Sequence, residues 1–343
     1  KNVKFKSDNL VDDEEKDTVF TKNFSAQIPL EFKNGALNYN MNLYYGPAKY
    51  EILNKYDKNL DEIMPLGWGI FGWINRYVFI PVFGFISALG ISYGIGIILL
   101  TIFVKLILSP VTYKSFLSQA KMRVLRPEIT ELNEKFKDNP MKKQQETMKL
   151  YSKAGVNPMA GCLPALLQMP VLYALIYFFP SVFDLRQKSF LWADDLSSYD
   201  SIYELPFRIP LYGNHISLFP ILASIAIFFY MKMTTGDQAM STPPQEGMPD
   251  MGKIMKVMIY ISPIMMLFFF NSYASGMSLY YFISNFIAIG IMYVIKNYIV
   301  DENKIHAQIQ ENKTKEKKES KFQKKMREMM EQAEAQKAAQ KKK

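Results

Sequence analysis

Residues 91–112 read ISYGIGIILLTIFVKLILSPVT, and this stretch decides the fold class. Its only charged residue is Lys105, in the middle of an otherwise predominantly apolar run. An α-helix rises about 1.5 Å per residue, so about 20 such residues cross the roughly 30 Å of hydrocarbon in a bilayer. The stretch therefore predicts a membrane-spanning helix.

Four further apolar segments follow, at residues 160–183, 212–231, 257–272 and 277–299. The third and fourth of the five spans are short, so we expect local bilayer thinning there. Averages over the 343 residues, 49% hydrophobic and 21% charged, hide this pattern because apolar and charged residues form separate blocks. The sequence predicts an all-α polytopic membrane protein whose five-helix core covers residues 91–300.

Lysine and arginine are unevenly distributed among the loops. Residues 114–157 carry ten of them, and residues 301–343 are also rich in lysine, whereas the loop between the second and third spans has three. Because cytoplasmic loops are enriched in Lys and Arg, we predict that residues 114–157 and the basic tail 301–343 are cytoplasmic and that the N-terminal segment lies outside. The tail either is merely solvated or binds RNA-rich or anionic-lipid surfaces, and the sequence leaves both readings open.

The cytoplasmic loop has the pattern of a helical hairpin. One helix begins at Arg126-Pro127, and Asp138-Asn139-Pro140 turns the chain. A second helix is predicted from Met141 to Ala154, where Gly155 ends it.

Residues 1–62 are polar and strand-like. Residues 37–43 alternate between apolar residues and Asn, residues 19–32 are a weaker strand candidate, and the turn Lys33-Asn34-Gly35 would pair the two. The chain begins without Met or a signal-like segment, so we expect it to be a fragment. Residues 1–62 are too short for a stable sandwich of their own, so we expect them to be the C-terminal part of a larger β-sandwich domain outside the membrane.

Residues 66–89 are rich in aromatic side chains, including Trp68 and Trp73. Asn75 and Arg76 interrupt the apolar pattern, and Pro81 is predicted to break it. An amphipathic helix that lies at the membrane interface fits this stretch better than a span.

Lys105 is the most informative residue of the first span. It lies nine residues before Lys114, which places it roughly 13 Å below the cytoplasmic end of the helix. A lysine at a helix centre costs about 2.5–3.5 kcal/mol on insertion scales. The extended lysine side chain is too short to reach the interface over that distance, so we expect Lys105 to face a hydrated internal cavity.

None of the five spans contains Asp or Glu, except at their edges, which argues against a proton-coupled transporter. The other polar residues in the spans could line the same cavity or bond a neighbouring helix; they are Thr101, Gln168, Ser224, Asn271, Ser284 and Asn285. Gly247–Lys253 only mimics a phosphate-binding loop, since Ile254 replaces Ser or Thr. With one cysteine and two histidines, we expect no cofactor, no metal site and no enzymatic activity.

Several motifs occur in an order that resembles the YidC family of membrane protein insertases. They are Lys121-Met-Arg-Val-Leu-Arg-Pro127, Gly155-Val-Asn-Pro158, Gly161-Cys-Leu-Pro164, Leu167-Gln-Met-Pro170 and Leu279-Tyr-Tyr-Phe-Ile-Ser-Asn285. In addition, Leu43-Tyr-Tyr-Gly-Pro47 looks like the end of the large periplasmic domain of Gram-negative members.

The resemblance implies a bacterial inner-membrane protein with a hydrophilic groove that is open to cytoplasm and lipid. The family's positive residue in the first core span aligns with Lys105, where Arg is usual, so the charge is kept and the bidentate fork is lost. Thr101 and Tyr281 match positions that contact the incoming chain. We therefore predict a substrate-binding groove formed by Lys105, Thr101, Gln168, Tyr281 and Asn285.

The function that follows is an insertase and chaperone, which receives nascent membrane proteins in the groove and releases their helices laterally into lipid, alone or with the Sec translocon. Its expected partners are nascent membrane proteins, the ribosome through tail and hairpin, the Sec translocon and phospholipids, without a small-molecule substrate. A solute transporter or channel, or an assembly factor in which Lys105 is incidental, are the alternatives. A transporter predicts internal repeats or a pore charged at several levels, and the five spans contain neither.

Overall fold

A computed structural model describes residues 4–9, 22–30, 40, 42–56, 58–137, 139–161, 163–239, 251–299 and 301–314. Within these ranges the chain is mostly helical, with two small antiparallel sheets. It divides into two compact units, Lys1–Pro47 and Ala48–Lys343.

The first unit contains one strand pair. Strand β1 (Lys4–Asn9) runs antiparallel to β2 (Lys22–Gln27), and the Phe5 and Phe24 rings stack with centroids 5.9 Å apart. Strand β2 lies inside the segment predicted from 19 to 32, but its partner is β1. The turn predicted at 33–35 lies outside the described residues. Of the strand predicted at 37–43 only residues 40, 42 and 43 are described, and these three are not in a strand.

The second unit begins with short helices and then an apolar one. Helix α1 (Tyr50–Leu53) and a 3-10 turn precede α2 (Gly69–Ile74), which continues through a π turn into α3 (Ile80–Ala88). The break predicted at Pro81 is wrong, because the helix continues through this residue. The π turn just before Pro81 makes room for the proline ring, so the N–H that proline lacks does not end the helix. By length and composition the helix could cross a membrane, so its interfacial position stays a prediction.

Helix α4 (Tyr93–Val124) carries the first predicted span and continues twelve residues past the end expected at 112. Pro110 lies inside it and cannot donate to the carbonyl of Leu106 four residues earlier. The Ser109 hydroxyl donates to that carbonyl instead, at 2.8 Å. The helix therefore remains continuous across its proline.

Helices α5 (Arg126–Lys135) and α6 (Pro140–Ala154) follow within the segment predicted as a hairpin. The Asn139 side chain accepts the N–H of Lys142 at 3.0 Å and caps α6. Gly155 ends α6 with φ 68°, in the left-handed region that glycine adopts at little cost.

After α7 (Leu163–Ser181) the chain forms a β-hairpin in which β3 (Tyr203–Ile209) pairs with β4 (Gly213–Ile216). The predicted start of the third span at 212 is therefore wrong, and α8 (Leu218–Ala239) begins later. The Asp200 carboxylate accepts the N–H groups of Leu218 and Phe219, both at 2.9 Å, so a distant side chain sets the helix start.

Helices α9 (Met251–Phe270) and α10 (Ser275–Val294) complete the apolar set, and a π turn at Ile295–Ile299 ends α10. Among the described residues, four helices are long and apolar enough to cross a membrane: Gly69–Ala88, Tyr93–Val124, Leu163–Ser181 and Ser275–Tyr298. The apolar parts of α8 and α9, Leu218–Thr234 and Lys256–Phe270, are shorter. The predicted count of five spans stays a prediction.

Among the described residues, a larger and a smaller hydrophobic core pack the second unit, beside a third cluster of three buried residues, Phe116, Met292 and Ile295. The larger one is built on fully buried aromatic and aliphatic side chains, including Phe79, Phe178, Phe270 and Tyr280. The smaller one packs α11 (Glu302–Thr314) against α4, α5 and α6 through buried Ile305 and Ile309. The first part of the predicted basic tail is thus a docked helix, and residues 315–343 lie outside the described residues.

Candidate functional site

A cavity of about 290 Å³ lies among α4, α7, α8, α9 and α10, and we call it the Lys105 cavity. Its lining is mixed, with apolar side chains between polar ones. The polar lining residues are Lys105, Ser109, Thr112, Gln168, Tyr230, Ser262, Tyr281, Ser284 and Asn285. At about 30 Å³ per molecule, the space suffices for several waters.

Lys105 is the one charged residue among those that line this cavity. It shares a face of α4 with Ser109 and Thr112, since positions four and seven residues apart align on a helix. Its side chain is half-buried. Within the described part of the chain, its ammonium group has no ion pair or hydrogen bond, and no Asp or Glu lines the cavity.

The opposite wall is formed by α7 and α10. The Gln168 amide donates to the Tyr280 hydroxyl across these two helices, at 3.2 Å. Tyr281 is 9% exposed, and its ring packs on Phe270 with centroids 5.0 Å apart. Asn285 bonds the carbonyl of Tyr281 at 2.8 Å, one turn away. The structure thus brings Lys105, Gln168, Tyr281 and Asn285 to one cavity, and their role in binding a substrate stays a prediction.

Thr101 does not line the cavity. It is 0% exposed, and its hydroxyl donates to the Ile97 carbonyl of its own helix at 2.7 Å. It lies one turn from Lys105 on nearly the same face, so the cavity closes between these two positions. A threonine hydroxyl in an apolar environment donates a hydrogen bond to the carbonyl four residues earlier when no other acceptor is near.

Hydrogen bonds join the loops to the ends of α9 and α10 beyond the closed end of the cavity. The side chain of Asn271 joins the end of α9 to the β-hairpin by donating to the carbonyls of Tyr212 and His215 and accepting the N–H of Ser217. The backbone N–H of Gly276, in the first turn of α10, donates to the Leu196 carbonyl at 3.0 Å. These bonds fix the helix ends that surround the cavity.

Toward the surface, the cavity opens beside α7. Leu167 and Met169 both line it and are 38% and 45% exposed. Their exposure shows that apolar side chains form the rim on this side.

Sequence reasoning missed four polar members of the lining. Ser109 and Thr112 could have been found from their spacing to Lys105 on α4. Tyr230 and Ser262 come from α8 and α9, and only the packing of these helices turns them inward. Among the residues that the structure describes, no three His, Cys, Asp or Glu side chains could hold a metal ion together.

Comparison with known proteins gives consistent results. The family described as 60Kd inner membrane protein matches residues 84–304. Curated relatives named membrane protein insertase YidC include one from Parabacteroides distasonis, 47% identical over 85% of this chain and 47% of the relative. Another from Porphyromonas gingivalis is 43% identical over 93% of this chain and 52% of the relative, and one from Bacteroides fragilis is 44% identical over 86% and 48%. The chain thus spans about half the length of the relatives it matches.

Proposed function

Because this multi-pass membrane protein belongs to the YidC family of 60Kd inner membrane proteins, we propose that it is a membrane protein insertase and chaperone. It receives a nascent membrane protein in the Lys105 cavity and releases the guest's apolar helix sideways into lipid. It performs no covalent chemistry and uses no nucleotide. Burial of the guest's apolar surface in the bilayer provides the free energy.

The observation that carries this proposal is a single cation in a cavity of mixed polar and apolar lining, with no acidic lining residue in the described chain. Moving a polar segment across hydrocarbon is costly because its groups lose their hydrogen bonds to water. A hydrated cavity that reaches Lys105 shortens the apolar path. The unpaired ammonium group then attracts acidic residues in the part of the guest that must cross.

Lateral release follows from the apolar rim. Leu167 and Met169 leave the cavity open beside α7, and exposed Leu106 and Ile107 on α4 present apolar surface to lipid. A guest helix that leaves the cavity there moves from the cavity into hydrocarbon without having to pass between packed helices of the protein. Gln168, Tyr281 and Asn285 contact its polar segment from the opposite side of the cavity.

We further propose the sidedness and domain division predicted from charge. The five spans of the core are 91–112, 160–183, the apolar part of α8 at Leu218–Thr234, 257–272 and 277–299, of which the third and fourth are short. The segment 114–157 and the tail 301–343 lie in the cytoplasm, and residues 1–62 are the end of a periplasmic β domain. The segment 66–89 lies at the interface of a bacterial inner membrane.

The partners follow from this arrangement. The hairpin and the basic tail bind the ribosome, whose RNA attracts lysine, and the guest passes from there into the cavity. The protein works alone or beside the Sec translocon, in contact with phospholipids.

An insertion assay with Lys105 variants tests the proposal. Lys105→Ala in proteoliposomes is expected to insert guests with acidic translocated segments poorly, because the attracting charge is gone, whereas Lys105→Arg retains activity. Lys55→Ala removes an exposed lysine away from the cavity and serves as the matched control. Since guests differ in acidity, several are needed, and equal insertion of all of them by Lys105→Ala and wild type would refute the role of the charge.

Crosslinking tests the path independently. A photoreactive residue at Asn285, which lines the cavity, is expected to capture a stalled guest. The same residue at the neighbouring Phe286, which is 64% exposed and absent from the lining, is the control and should capture no guest. Equal capture at both positions would contradict passage through the Lys105 cavity.

A further inference from the structure

The β-hairpin of β3 and β4 exposes large apolar side chains. Residues 210–212 connect the two strands, and Leu211 in this turn is 93% exposed. Phe207, near the end of β3, is 61% exposed, and Tyr203 at the start of β3 is exposed as well. Single exposed apolar residues are ordinary, but several on one short hairpin mark a surface for an apolar partner. We call residues 207–211 the hairpin tip.

Leu211 is also unusual in its backbone. Its φ of 68° lies in the left-handed region, where a bulky side chain is disfavoured and Gly or Asn is the usual turn residue. Its side chain makes little packing contact with the rest of the chain, as its exposure shows. Neither the turn geometry nor internal packing therefore accounts for a leucine at this position, whereas an apolar environment outside the described chain would.

The hairpin is fixed to the end of α9. The side chain of Asn271 donates to the Tyr212 carbonyl at 2.9 Å, and the Tyr212 ring packs edge-on against Phe268 with centroids 5.3 Å apart. Phe268 belongs to an exposed apolar face of α9 that includes Met265 and Phe269, since positions three and four residues apart align on a helix. The hairpin tip therefore adjoins the face that α9 turns toward lipid in the proposed topology.

The helices beside the hairpin are short for a membrane crossing. At about 1.5 Å per residue, the apolar parts of α8 and α9, Leu218–Thr234 and Lys256–Phe270, are about 25 Å and about 22 Å long. Against the roughly 30 Å of hydrocarbon, about 5–8 Å remain uncovered. A bilayer can thin at such a place, or apolar side chains beyond the helix ends can cover the difference. The hairpin supplies such side chains where α8 begins and α9 ends.

We propose that the hairpin tip lies in the lipid leaflet on the side where α8 begins, with Phe207 and Leu211 in contact with acyl chains. The outer strand edges carry unpaired N–H and C=O groups, so the backbone stays at the level of the headgroups and only these side chains enter hydrocarbon. Arg208, exposed between them, can reach the lipid phosphates from there. The inference rests on the proposed crossing of α8 and α9, but not on the insertion of guests.

A lipid leaflet is favoured over a second protein because of what surrounds the tip. The neighbouring face of α9 is apolar and faces hydrocarbon in the proposed topology, so lipid is present at this position continuously and mass action favours it. A second copy of the chain would need roughly 800 Å² per partner for a stable interface, more than the few exposed side chains of the tip offer.

Quenching by lipid-borne nitroxides tests the proposal on the full chain. Cys162→Ser removes the chain's own cysteine, and a bimane fluorophore is attached at Leu211→Cys in proteoliposomes of phosphatidylcholine with or without a nitroxide on the acyl chain. We expect several-fold stronger quenching at Leu211→Cys than at Asp194→Cys, an exposed site in the loop before the hairpin. Met265→Cys, on the exposed face of α9, marks the level of quenching for a side chain in lipid.

Iodide, present on both sides of the bilayer, should show the reverse order. It should quench the label at Asp194→Cys strongly and the label at Leu211→Cys weakly. Equal lipid quenching at these two sites would overturn the inference. A label at Leu211→Cys that neither quencher reaches would overturn it too, since protein would then cover the tip.

The α9 site separates the hairpin from the span. Quenching at Met265→Cys without quenching at Leu211→Cys would remove the hairpin assignment alone, whereas no quenching at either site would refute the proposed crossing of α9 and the inference with it. Phe207→Cys replaces Leu211→Cys if the labelled chain folds poorly by circular dichroism. The insertion assay with Lys105 variants does not depend on these results, so the two proposals can fail separately.

Discussion

Replacing Asn271 by alanine should destabilise the protein strongly, although no part of this side chain lines the Lys105 cavity. The residue is 0% exposed, and its amide makes three hydrogen bonds. They run to the carbonyls of Tyr212 and His215, both at 2.9 Å, and from the N–H of Ser217 at 3.1 Å. Alanine removes all three and leaves buried backbone groups without that partner.

The magnitude follows from these bonds. At about 0.5–1.5 kcal/mol net for each hydrogen bond, Asn271→Ala should lower the free energy of unfolding by about 2–4 kcal/mol. The assay is unfolding in mixed detergent micelles, followed by far-UV circular dichroism. Proteolysis of the hairpin 203–216 should accelerate in parallel, because the amide is what ties the hairpin to the end of α9.

Asn214→Ala supplies the control, since Asn214 is in the same hairpin and exposed. A surface change of this kind should alter the free energy of unfolding by less than about 0.5 kcal/mol. If Asn271→Ala and Asn214→Ala unfold at the same midpoint, the hydrogen bonds of Asn271 do not stabilise the contact between the hairpin and the end of α9, and the reasoning is refuted.

Two other changes test the caps and the second core. Burial raises the pKa of the Asp200 carboxyl despite hydrogen bonds from Trp192 and the start of α8, so the folded chain keeps a proton that the unfolded chain loses. The difference in the free energy of unfolding between wild type and Asp200→Asn is measured against pH. The stability of wild type relative to the variant should fall as pH rises from about 3.9 to the raised pKa, and it should stay constant above that pKa. A difference that does not change with pH would contradict this prediction. Ile309→Ala should weaken the docking of α11 by about 2–4 kcal/mol and abolish hydrogen-exchange protection across Glu302–Thr314, because Ile309 is 1% exposed. Gln308→Ala, at an exposed neighbouring position, should keep that protection, and equal exchange in both variants would count against the docked helix.

The candidate site shows how far sequence reasoning reaches. Lys105 was identified because a lysine inside an apolar run is costly, and the structure places it on a cavity. Gln168 and Asn285 were recognised as polar residues that could line a cavity or bond a neighbouring helix. Both line the cavity, but only Gln168 also bonds a neighbouring helix, since Asn285 bonds a carbonyl of its own helix. Thr101 matched the same pattern yet satisfies its hydroxyl on its own helix. Composition cannot distinguish these outcomes because they depend on which helix packs opposite.

Local signals in the sequence determined the class and most helices of this protein. Apolar runs long enough to cross hydrocarbon, and the turn signals of Asn139 and Gly155, act within a few residues and need no distant partner. Tertiary structure alone decided where α8 begins, since the capping carboxylate of Asp200 comes from 18 residues earlier. It also decided that α11 docks on the smaller hydrophobic core through Ile305 and Ile309. The physical reason is that caps, cavities and cores are formed by side chains far apart in sequence, and only packing brings them within contact distance.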